Sequence, residues 1–321
     1  KTLSKVKVEI RNMSKVYENG DGIQNIDLMI QAGEILTLLG PSGCGKSTIL
    51  RCLGGFQALD QGRIYIDGQE VTALPPEKRP TSMVFQGYNL WNHMTVYENL
   101  AFGLKLRKYP KQEIKQRVHE MLDLLKLPNI EKKYPSELSG GQQQRIAIGR
   151  SLILEPAVLL MDEPYSALDA KIRQQMREEL KRIQAQTNVT VVFVTHDQEE
   201  AMSLSDRIVV MEKGKIAQVD TPAEIYEKTI NRYTASFIGE MNFLPTHDGK
   251  VKAFRPEDMA LSSSNGDYQG TVQEIMNAGH YSILYLAHGE QSLKLYLNKE
   301  EAKKYEKQES LYFTINKFKV Y

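Results

Sequence analysis

The chain has 321 residues, 41% of them hydrophobic and 25% charged, and its 41 Lys and Arg side chains nearly balance 40 Asp and Glu side chains. This composition excludes a predominantly disordered chain. The formal net charge of +1 also lacks the basic excess that nucleic-acid binding normally requires. We therefore expect a globular protein of two domains that does not bind nucleic acid.

The apolar runs and the cysteines exclude further classes of protein. The longest runs, at residues 157–161 and 189–194, fall well below the roughly 20 residues that a membrane helix needs. Residues 1–5 lack the apolar core and cleavage site of a signal peptide, which favours a cytosolic chain. Cys44 and Cys52 are too few for a disulfide framework or a zinc site.

Residues 1–240 alternate between short β-branched runs and helical patterns. The predicted strands are Val6–Ile10, Ile35–Leu39, Ser82–Phe85, Val158–Met161 and Val189–Val194. Apolar residues at helical spacing predict two helix faces that contact a core: Ile114, Val118, Met121, Leu122 and Leu125, and then Ile172, Met176, Leu180 and Ile183. The alternation predicts an α/β fold with layered helices and strands.

From about residue 241 the pattern changes to short strands separated by turn residues. The predicted strands are Lys250–Phe254, Gly270–Ile275, Ser282–Leu286, Leu293–Leu297 and Leu311–Ile315, with a short helix near Asn298–Glu306. We expect residues 241–321 to form a small β-rich domain, such as a five-stranded barrel.

A glycine-rich segment between the strand Ile35–Leu39 and a following helix predicts a phosphate site. It reads Gly40-Pro41-Ser42-Gly43-Cys44-Gly45-Lys46-Ser47-Thr48. Backbone N–H groups in such a loop cradle phosphate oxygens, the lysine reaches the β- and γ-phosphates, and the serine hydroxyl coordinates Mg²⁺. A purely structural glycine turn does not need Lys46 followed by Ser47. Residues Ser42, Gly43, Cys44, Gly45, Lys46, Ser47 and Thr48 are thus predicted to bind a nucleotide.

The predicted strand Val158–Met161 ends in two acids, Asp162 and Glu163. Alone, this pair would be interpreted as the cap of a helix. A phosphate loop in the same sheet favours another role, in which Asp162 holds Mg²⁺ through water and Glu163 is the general base for an attacking water.

The segment Leu138-Ser139-Gly140-Gly141-Gln142-Gln143-Gln144-Arg145 closely resembles the signature sequence of ATP-binding cassette ATPases. The resemblance covers the first 240 residues, in the family's order, and implies a P-loop cassette with a helical subdomain at about 88–155. It also implies that Tyr17 stacks on adenine and that Gln86 links the metal to a membrane subunit. His196 corresponds to the family's switch histidine, which can donate a hydrogen bond to the γ-phosphate. Without the phosphate loop, Tyr17 would be interpreted as a packing residue, Gln86 as an ordinary strand terminus and His196 as a helix cap.

The same resemblance implies a dimeric site. In the family, Ser139, Gly140, Gly141 and Gln142 of one subunit close on the ATP held by the other subunit's phosphate loop, and the loop Ser166–Asp169 connects the two subunits. Asp169 is therefore a candidate ATP-site residue. A head-to-tail homodimer that holds two ATP molecules with Mg²⁺ is the implied assembly.

The second half of the chain resembles the accessory oligonucleotide-binding-like domain of importer ATPases for sugars, polyamines, ferric iron and phosphonates. This likeness rests on Phe237-Ile238-Gly239, Asn242-Phe243 and Phe254-Arg255-Pro256-Glu257-Asp258. It implies integral membrane permease subunits as partners, an extracytoplasmic solute-binding protein as an indirect partner, and a peripheral location on the cytoplasmic face of the membrane. The segment Gly33–Leu39 resembles the polyamine and ferric iron branch.

Three positions depart from the family pattern: Trp91 and Asn92 stand where Phe-Pro is usual, and Gly149 stands where alanine is common. We predict that Trp91 is a partly exposed ring in the groove that receives the permease; the alternative is that Trp91 packs in the core. The alternative function is a soluble cassette ATPase of DNA repair or translation. The short distance between Lys46 and Ser139 leaves no room for the coiled coils of the repair enzymes, and the chain has one cassette where the translational type has two. A regulatory module without turnover would not need both Asp162 and Glu163.

Overall fold

The computed structural model describes residues 5–87 and 89–321. Residues 1–4, on which the prediction about a signal peptide rests, lie outside the described residues, as does residue 88, the predicted start of the helical subdomain. The chain divides into two compact units between Ile225 and Tyr226. The domain boundary predicted after residue 240 lies within the second of these units, and it stays a prediction.

Ten strands form among the described residues of the first unit. They are β1 (Val6–Val16), β2 (Gly22–Gln31), β3 (Ile35–Leu39), β4 (Gln61–Ile66), β5 (Gln69–Glu70), β6 (Thr81–Val84), β7 (Val158–Asp162), β8 (Thr190–Thr195), β9 (Arg207–Glu212) and β10 (Lys215–Asp220). Seven helices accompany them in that part of the chain: α1 (Lys46–Gly54), α2 (Val96–Leu106), α3 (Lys111–Leu124), α4 (Gly140–Leu152), α5 (Ala170–Thr187), α6 (Gln198–Leu204) and α7 (Pro222–Glu227), the last of which crosses into the second unit.

The strands form two sheets. Six strands are ordered β10-β9-β3-β8-β7-β6, and all pairs are parallel except the antiparallel pair of β9 and β10. Four strands form an antiparallel sheet in the order β2-β1-β4-β5. The α/β class predicted from the sequence is therefore confirmed. None of the helices in the described ranges has both the length and the apolar character needed to cross a membrane.

The parallel sheet is buried on both faces, which explains its nearly continuous apolar strands. In β7, Val158 and Leu160 contact the core shared with α1 and the antiparallel sheet. Leu159 and Met161 point the other way, into the core shared with α2 to α5. Successive side chains of a strand alternate between faces, so one short run supplies both cores.

The helices α2, α3 and α4 lie within the segment predicted as a helical subdomain. A capping box between Thr95 and Glu98 begins α2, and Asn99, fully buried in that helix, donates to the carbonyl oxygens of Trp91, Met94 and Thr95. The Trp91 ring is partly exposed, as predicted; Arg150 Cζ lies 4.4 Å from its centre. A Cβ atom at Gly149 would lie 2.6 Å from Leu125 Cδ1, which accounts for the glycine there.

The second unit contains eight strands and, after α7, two short helices among its described residues. The strands are β11 (Asn242–Pro245), β12 (Val251–Phe254), β13 (Met259–Ser262), β14 (Tyr268–Asn277), β15 (Tyr281–His288), β16 (Gln291–Asn298), β17 (Ser310–Ile315) and β18 (Lys319–Val320); the helices are α8 (Arg232–Phe237) and α9 (Lys299–Ala302).

These strands form two antiparallel sheets, of five strands (β13-β17-β14-β15-β16) and three strands (β11-β12-β18). The predicted strand Lys250–Phe254 corresponds to β12 and lies in the smaller sheet; the fifth strand of the larger sheet is β13, which the sequence did not predict. The β-rich character is confirmed.

The buried amide of Asn242 joins these two sheets at the edge strand β16. Its Nδ2 donates to the Lys294 carbonyl oxygen at 2.7 Å, and its Oδ1 accepts from the Lys294 N–H at 2.8 Å. The side chain thus reproduces the donor and acceptor pair of a neighbouring strand.

Replacing Asn242 by leucine should destabilise the second unit. The change leaves two backbone groups of Lys294 without partners, and we expect a loss of roughly 2–4 kcal/mol in the free energy of unfolding. Asn316→Leu, at an exposed position of the same unit, is the matched control and should stay within about 0.5 kcal/mol. Hydrogen exchange of peptides spanning residues 242–254 and 291–298 measures the effect, and equal protection in both variants would contradict it.

Candidate functional site

The carboxyl ends of the parallel strands β3, β6, β7 and β8 carry the predicted site residues. The glycine-rich loop follows β3, and Gln86 follows β6. Asp162 ends β7 and Glu163 follows it, and His196 follows β8. Because these strands are parallel neighbours in one sheet, all four segments lie along the same edge.

The loop from Gly40 to Gly45 leaves the first turn of α1 open. Gly45 precedes the helix with φ = 102°, a left-handed conformation, and supplies no side-chain cap to the first N–H groups. A Cβ atom there would lie 2.5 Å from Ile23 Cγ2. The uncapped N–H groups and the positive end of the helix dipole form an anion-binding position.

Lys46 is held against the loop. It is only 4% exposed, and its Nζ donates to the carbonyl oxygens of Gly40 at 2.7 Å and Pro41 at 2.9 Å. Within the part of the chain that the structure describes, the acceptors of this buried ammonium group are all neutral, so it is well placed to bind a phosphate, which would supply the missing negative charge.

A cavity of about 310 Å³ opens beside this loop. Eight predicted residues line it: Tyr17, Ser42, Gly43, Gly45, Lys46, Ser47, Thr48 and Glu163. Cys44 does not; its thiol is buried beneath the loop, 3.8 Å from Lys46 Nζ, and burial raises the pKa of that thiol. The half-buried Tyr17 ring forms one wall, and its hydroxyl lies 3.5 Å from Thr48 Oγ1.

Ser47 and Asp162 meet across the sheet edge, with Ser47 Oγ donating to Asp162 Oδ1 at 2.9 Å. Asp162 is 9% exposed. Among residues 5–87 and 89–321, no group of three or more His, Cys, Asp or Glu side chains is arranged to hold a metal ion unaided. A cation bound here would therefore need further oxygen ligands from a nucleotide or from water.

Glu163 and His196 are in direct contact. His196 Nδ1 lies 3.2 Å from Glu163 Oε2. An ionised carboxylate can only accept, so this contact is a hydrogen bond in the tautomer that carries its proton on Nδ1. Glu163 has φ = 43°, which is uncommon for a residue with a side chain, and its N–H donates to the Val194 carbonyl oxygen of β8 at 3.0 Å. This strained backbone directs the carboxylate toward the cavity, which it lines.

Gln86 is linked to Glu163 by hydrogen bonds through Ser166. Gln86 Nε2 donates to Ser166 Oγ at 3.0 Å, and Ser166 Oγ donates to the Glu163 carbonyl oxygen at 3.1 Å. The sequence suggested roles for Gln86 and for the loop Ser166–Asp169 separately; their contact with each other was not predicted.

The signature residues lie elsewhere on the first unit. Ser139 caps α4 and forms a capping box with Gln142, and Asp169 caps α5 by accepting from the Ile172 N–H. None of Ser139, Gly140, Gly141, Gln142 or Asp169 lines the cavity beside the phosphate loop of the same chain. Ser139 and Gly140 are exposed.

Three lining residues were missed by the sequence analysis: Asn19, Asp21 and Gly22. Asn19 and Asp21 belong to the turn between β1 and β2, where Tyr17 N–H donates to the Asp21 carbonyl oxygen, and Gly22 begins β2. The run Asn19-Gly20-Asp21-Gly22 is a strong turn signal and would have predicted a hairpin, although not its position at the cavity.

Comparisons with known proteins identify the family of this chain. Residues 23–166 match the family model described as ABC transporter. The spermidine/putrescine import ATP-binding protein PotA of Aggregatibacter actinomycetemcomitans is 50% identical over 259 residues, which cover 81% of this chain and 69% of that protein. The protein of the same name from Haemophilus influenzae is 52% identical over 81% of this chain and 69% of its own length.

Two further comparisons extend the likeness. PotA of Mesorhizobium japonicum is 45% identical in an alignment that covers 85% of this chain and 84% of that protein. The solved structure of cbiO1 from Clostridium perfringens, described as part of the ABC transporter complex cbiONQ, matches with a TM-score of 0.65 and 28% identity over 69% of this chain and 90% of that one. Because the likeness includes most of the chain as well as its phosphate loop, the chain belongs to the ABC transporter family, as one of its ATP-binding ATPases.

Proposed function

We propose that this chain hydrolyses Mg²⁺-bound ATP as a head-to-tail homodimer and thereby drives uptake of a polyamine through a separate membrane permease. The observation that carries the enzymatic part is the contact between Glu163 and His196, at the sheet edge where Ser47 also meets Asp162. The polyamine substrate is supported by the names of the relatives, whose imported solutes are spermidine and putrescine.

The residues at the sheet edge fit a magnesium ion. Ser47 offers a hydroxyl oxygen, Asp162 a carboxylate and Gln86 an amide oxygen, and Mg²⁺ in phosphate-transfer sites takes few protein ligands because phosphates and water supply the others. When bound, the ion would neutralise charge on the β- and γ-phosphates. Ser47 and Asp162, which hydrogen-bond each other in this structure, would turn their oxygens toward it.

Glu163 is the proposed general base. Its carboxylate lines the cavity and can accept a proton from a water molecule that attacks the γ-phosphate. In this structure one carboxylate oxygen faces His196 Nδ1. If His196 instead donates to a γ-phosphate oxygen, that carboxylate oxygen becomes available to the water. The base would thus be activated when ATP is present.

The dimer is supported by the position of the signature residues, which do not line the cavity of their own chain. This cavity is lined by the phosphate loop and Glu163 but not by Ser139 or Gly140, which are exposed. A second copy related by a two-fold axis can offer these groups to the phosphate, and the same operation completes the other site.

Coupling to a permease is proposed through the surface near Trp91. The ring of Phe102, which is 39% exposed, lies 4.5 Å from the Trp91 ring, centre to centre, and Leu106 is 74% exposed. Large apolar side chains that remain in water favour a partner surface. The chain would then be peripheral, on the cytoplasmic face of the membrane, with a solute-binding protein on the opposite side.

Glu163→Gln should separate ATP binding from turnover. Loss of the base should slow ATP hydrolysis about 10²- to 10⁴-fold, with nucleotide affinity unchanged because Lys46 and the loop remain. The matched control is Glu77→Gln, an exposed acid outside the site. Phosphate release and spermidine uptake are measured together in vesicles that contain a polyamine permease and its binding protein. Wild-type turnover by Glu163→Gln would disprove the assignment, whereas ATP turnover without spermidine uptake would reject only the substrate.

Tyr17 should contribute its ring rather than its hydroxyl. If stacking supplies roughly 1–3 kcal/mol, Tyr17→Ala weakens ATP and GTP binding about five- to 150-fold. Tyr17→Phe should bind nearly as the wild type does, because the hydroxyl makes only a 3.5 Å contact with Thr48. Equal losses in both variants, measured by nucleotide titration, would show that the hydroxyl is the important group.

A cysteine cross-link tests the shared site. With Ser42→Cys and Ser139→Cys in the same chain, ATP should promote a disulfide between two subunits. Native thiols should not interfere, since Cys44 and Cys52 are buried and burial raises the pKa of Cys52 to about 11. Ser42→Cys alone and Ser139→Cys alone are the controls. Each has only one of the two introduced cysteines, so neither should form the cross-link between positions 42 and 139. A product found only within one chain would contradict the head-to-tail arrangement.

A further inference from the structure

His196 projects from a short segment between two rigid elements. Thr195 is the last residue of β8 and is 2% exposed, whereas Asp197 caps α6. The side chain of His196 itself is 56% exposed. Few side-chain contacts therefore hold the ring, and its position depends on how the backbone on each side is fixed.

One hydroxyl group joins both sides of this segment. Thr195 Oγ1 accepts a hydrogen bond from the Asp197 N–H at 3.0 Å and donates its own proton to Glu200 Oε2 at 2.6 Å. The first bond bridges His196, and the second anchors the bridge to α6. A hydroxyl rotates freely, so the Glu200 acceptor is what directs the Thr195 proton away from the Asp197 N–H and leaves a lone pair toward it.

Glu200 is not needed to cap the helix. The Asp197 side chain already accepts from the N–H groups of Glu199 and Glu200. Yet Glu200 is only 4% exposed, and burial raises the pKa of its carboxyl group. Placing a carboxyl group there has a desolvation cost, and the one hydrogen bond that its side chain makes to another described side chain is the bond from Thr195.

The same strand end also holds the proposed base. The Glu163 N–H donates to the Val194 carbonyl oxygen, one residue before Thr195. Glu163 and His196 are thus both attached to the end of β8, and the 3.2 Å contact between them depends on the backbone from Val194 to Asp197.

We propose that Glu200 is a positioning residue, which acts through the Thr195 hydroxyl to fix the backbone of His196 relative to Glu163. The inference rests on the roles proposed above for Glu163 and His196. Glu200 touches neither nucleotide nor water in this scheme. Its loss should therefore affect the rate of hydrolysis and leave the affinity for ATP unchanged.

Four variants test this inference by steady-state ATP hydrolysis of the full chain assembled with its permease. Thr195→Val keeps the side-chain shape but removes the hydroxyl, and Glu200→Leu removes the acceptor. Each should lower kcat about five- to 50-fold with the KM for ATP within about twofold, since small displacements of a catalytic group have costs of this order. Thr195→Ser keeps the hydroxyl and Glu200→Gln keeps an acceptor oxygen; both should stay within about threefold of the wild type.

Glu199→Gln is the matched control. Glu199 lies beside Glu200 in α6, but its side chain is 79% exposed and pairs with Arg177 at 2.8 Å. This variant should keep the wild-type kcat. Melting temperatures of all five variants are compared with their kinetics.

The outcomes distinguish the inference from the function on which it rests. Wild-type turnover by Thr195→Val and Glu200→Leu, while His196→Ala is inactive, would overturn the role of Glu200 alone. Wild-type turnover by His196→Ala would overturn the role proposed for His196 itself. A third outcome is that Thr195→Ser and Glu200→Gln lose as much activity as Thr195→Val and Glu200→Leu, and that the activity of each variant falls in proportion to its melting temperature. In that case Glu200 is structural only and the inference is rejected.

Discussion

The parallel pairing of β3, β8, β7 and β6 is the constraint on which the site depends. Each pair fixes which residues stand side by side at the carboxyl end of the sheet: Leu39 is level with Thr195, and Asp162 with Val194. Contacts such as Ser47 to Asp162 and Glu163 to His196 then join segments that are far apart in sequence. Parallel neighbours need long crossover connections, so the helices that carry the signature sequence are also what the sheet topology demands.

The site keeps several groups in states that a stable core would avoid. Gly45 leaves helix N–H groups uncapped, Lys46 is buried against neutral oxygens, and Glu163 adopts a left-handed backbone conformation. Such features each cost free energy, and the surrounding apolar strands must offset that cost. A bound phosphate would relieve the first two. The site is therefore better suited to the ligand than to the empty state.

The sequence predicted β3, β6, β7 and β8 closely, but it did not predict the interior strand β9 and it ended β1 too early. β3, β7 and β8 are continuous apolar runs bounded by turn residues, and their predicted limits agree within one residue. β1 was predicted to end at Ile10, yet it continues to Val16, because the pairing register shifts between Ile10 and Met13 and breaks the simple alternation. The types and order of the site residues were evident in the motifs. The turn of Asn19 and the link from Gln86 through Ser166 depend on tertiary packing, which no local pattern encodes.

The amide of Asn242 has a consequence for how the molecule behaves in a crowded solution. β16 is the last strand of its sheet, eight residues long, and such an edge can recruit a strand from another chain. Asn242 occupies the N–H and carbonyl groups of Lys294 near the middle of that edge, and Lys294 adds a charge paired with Glu240. An approaching strand would meet an interrupted ladder and a charged side chain. The Asn242 amide, which joins the two sheets of the second unit, therefore also protects β16 against edge-to-edge aggregation.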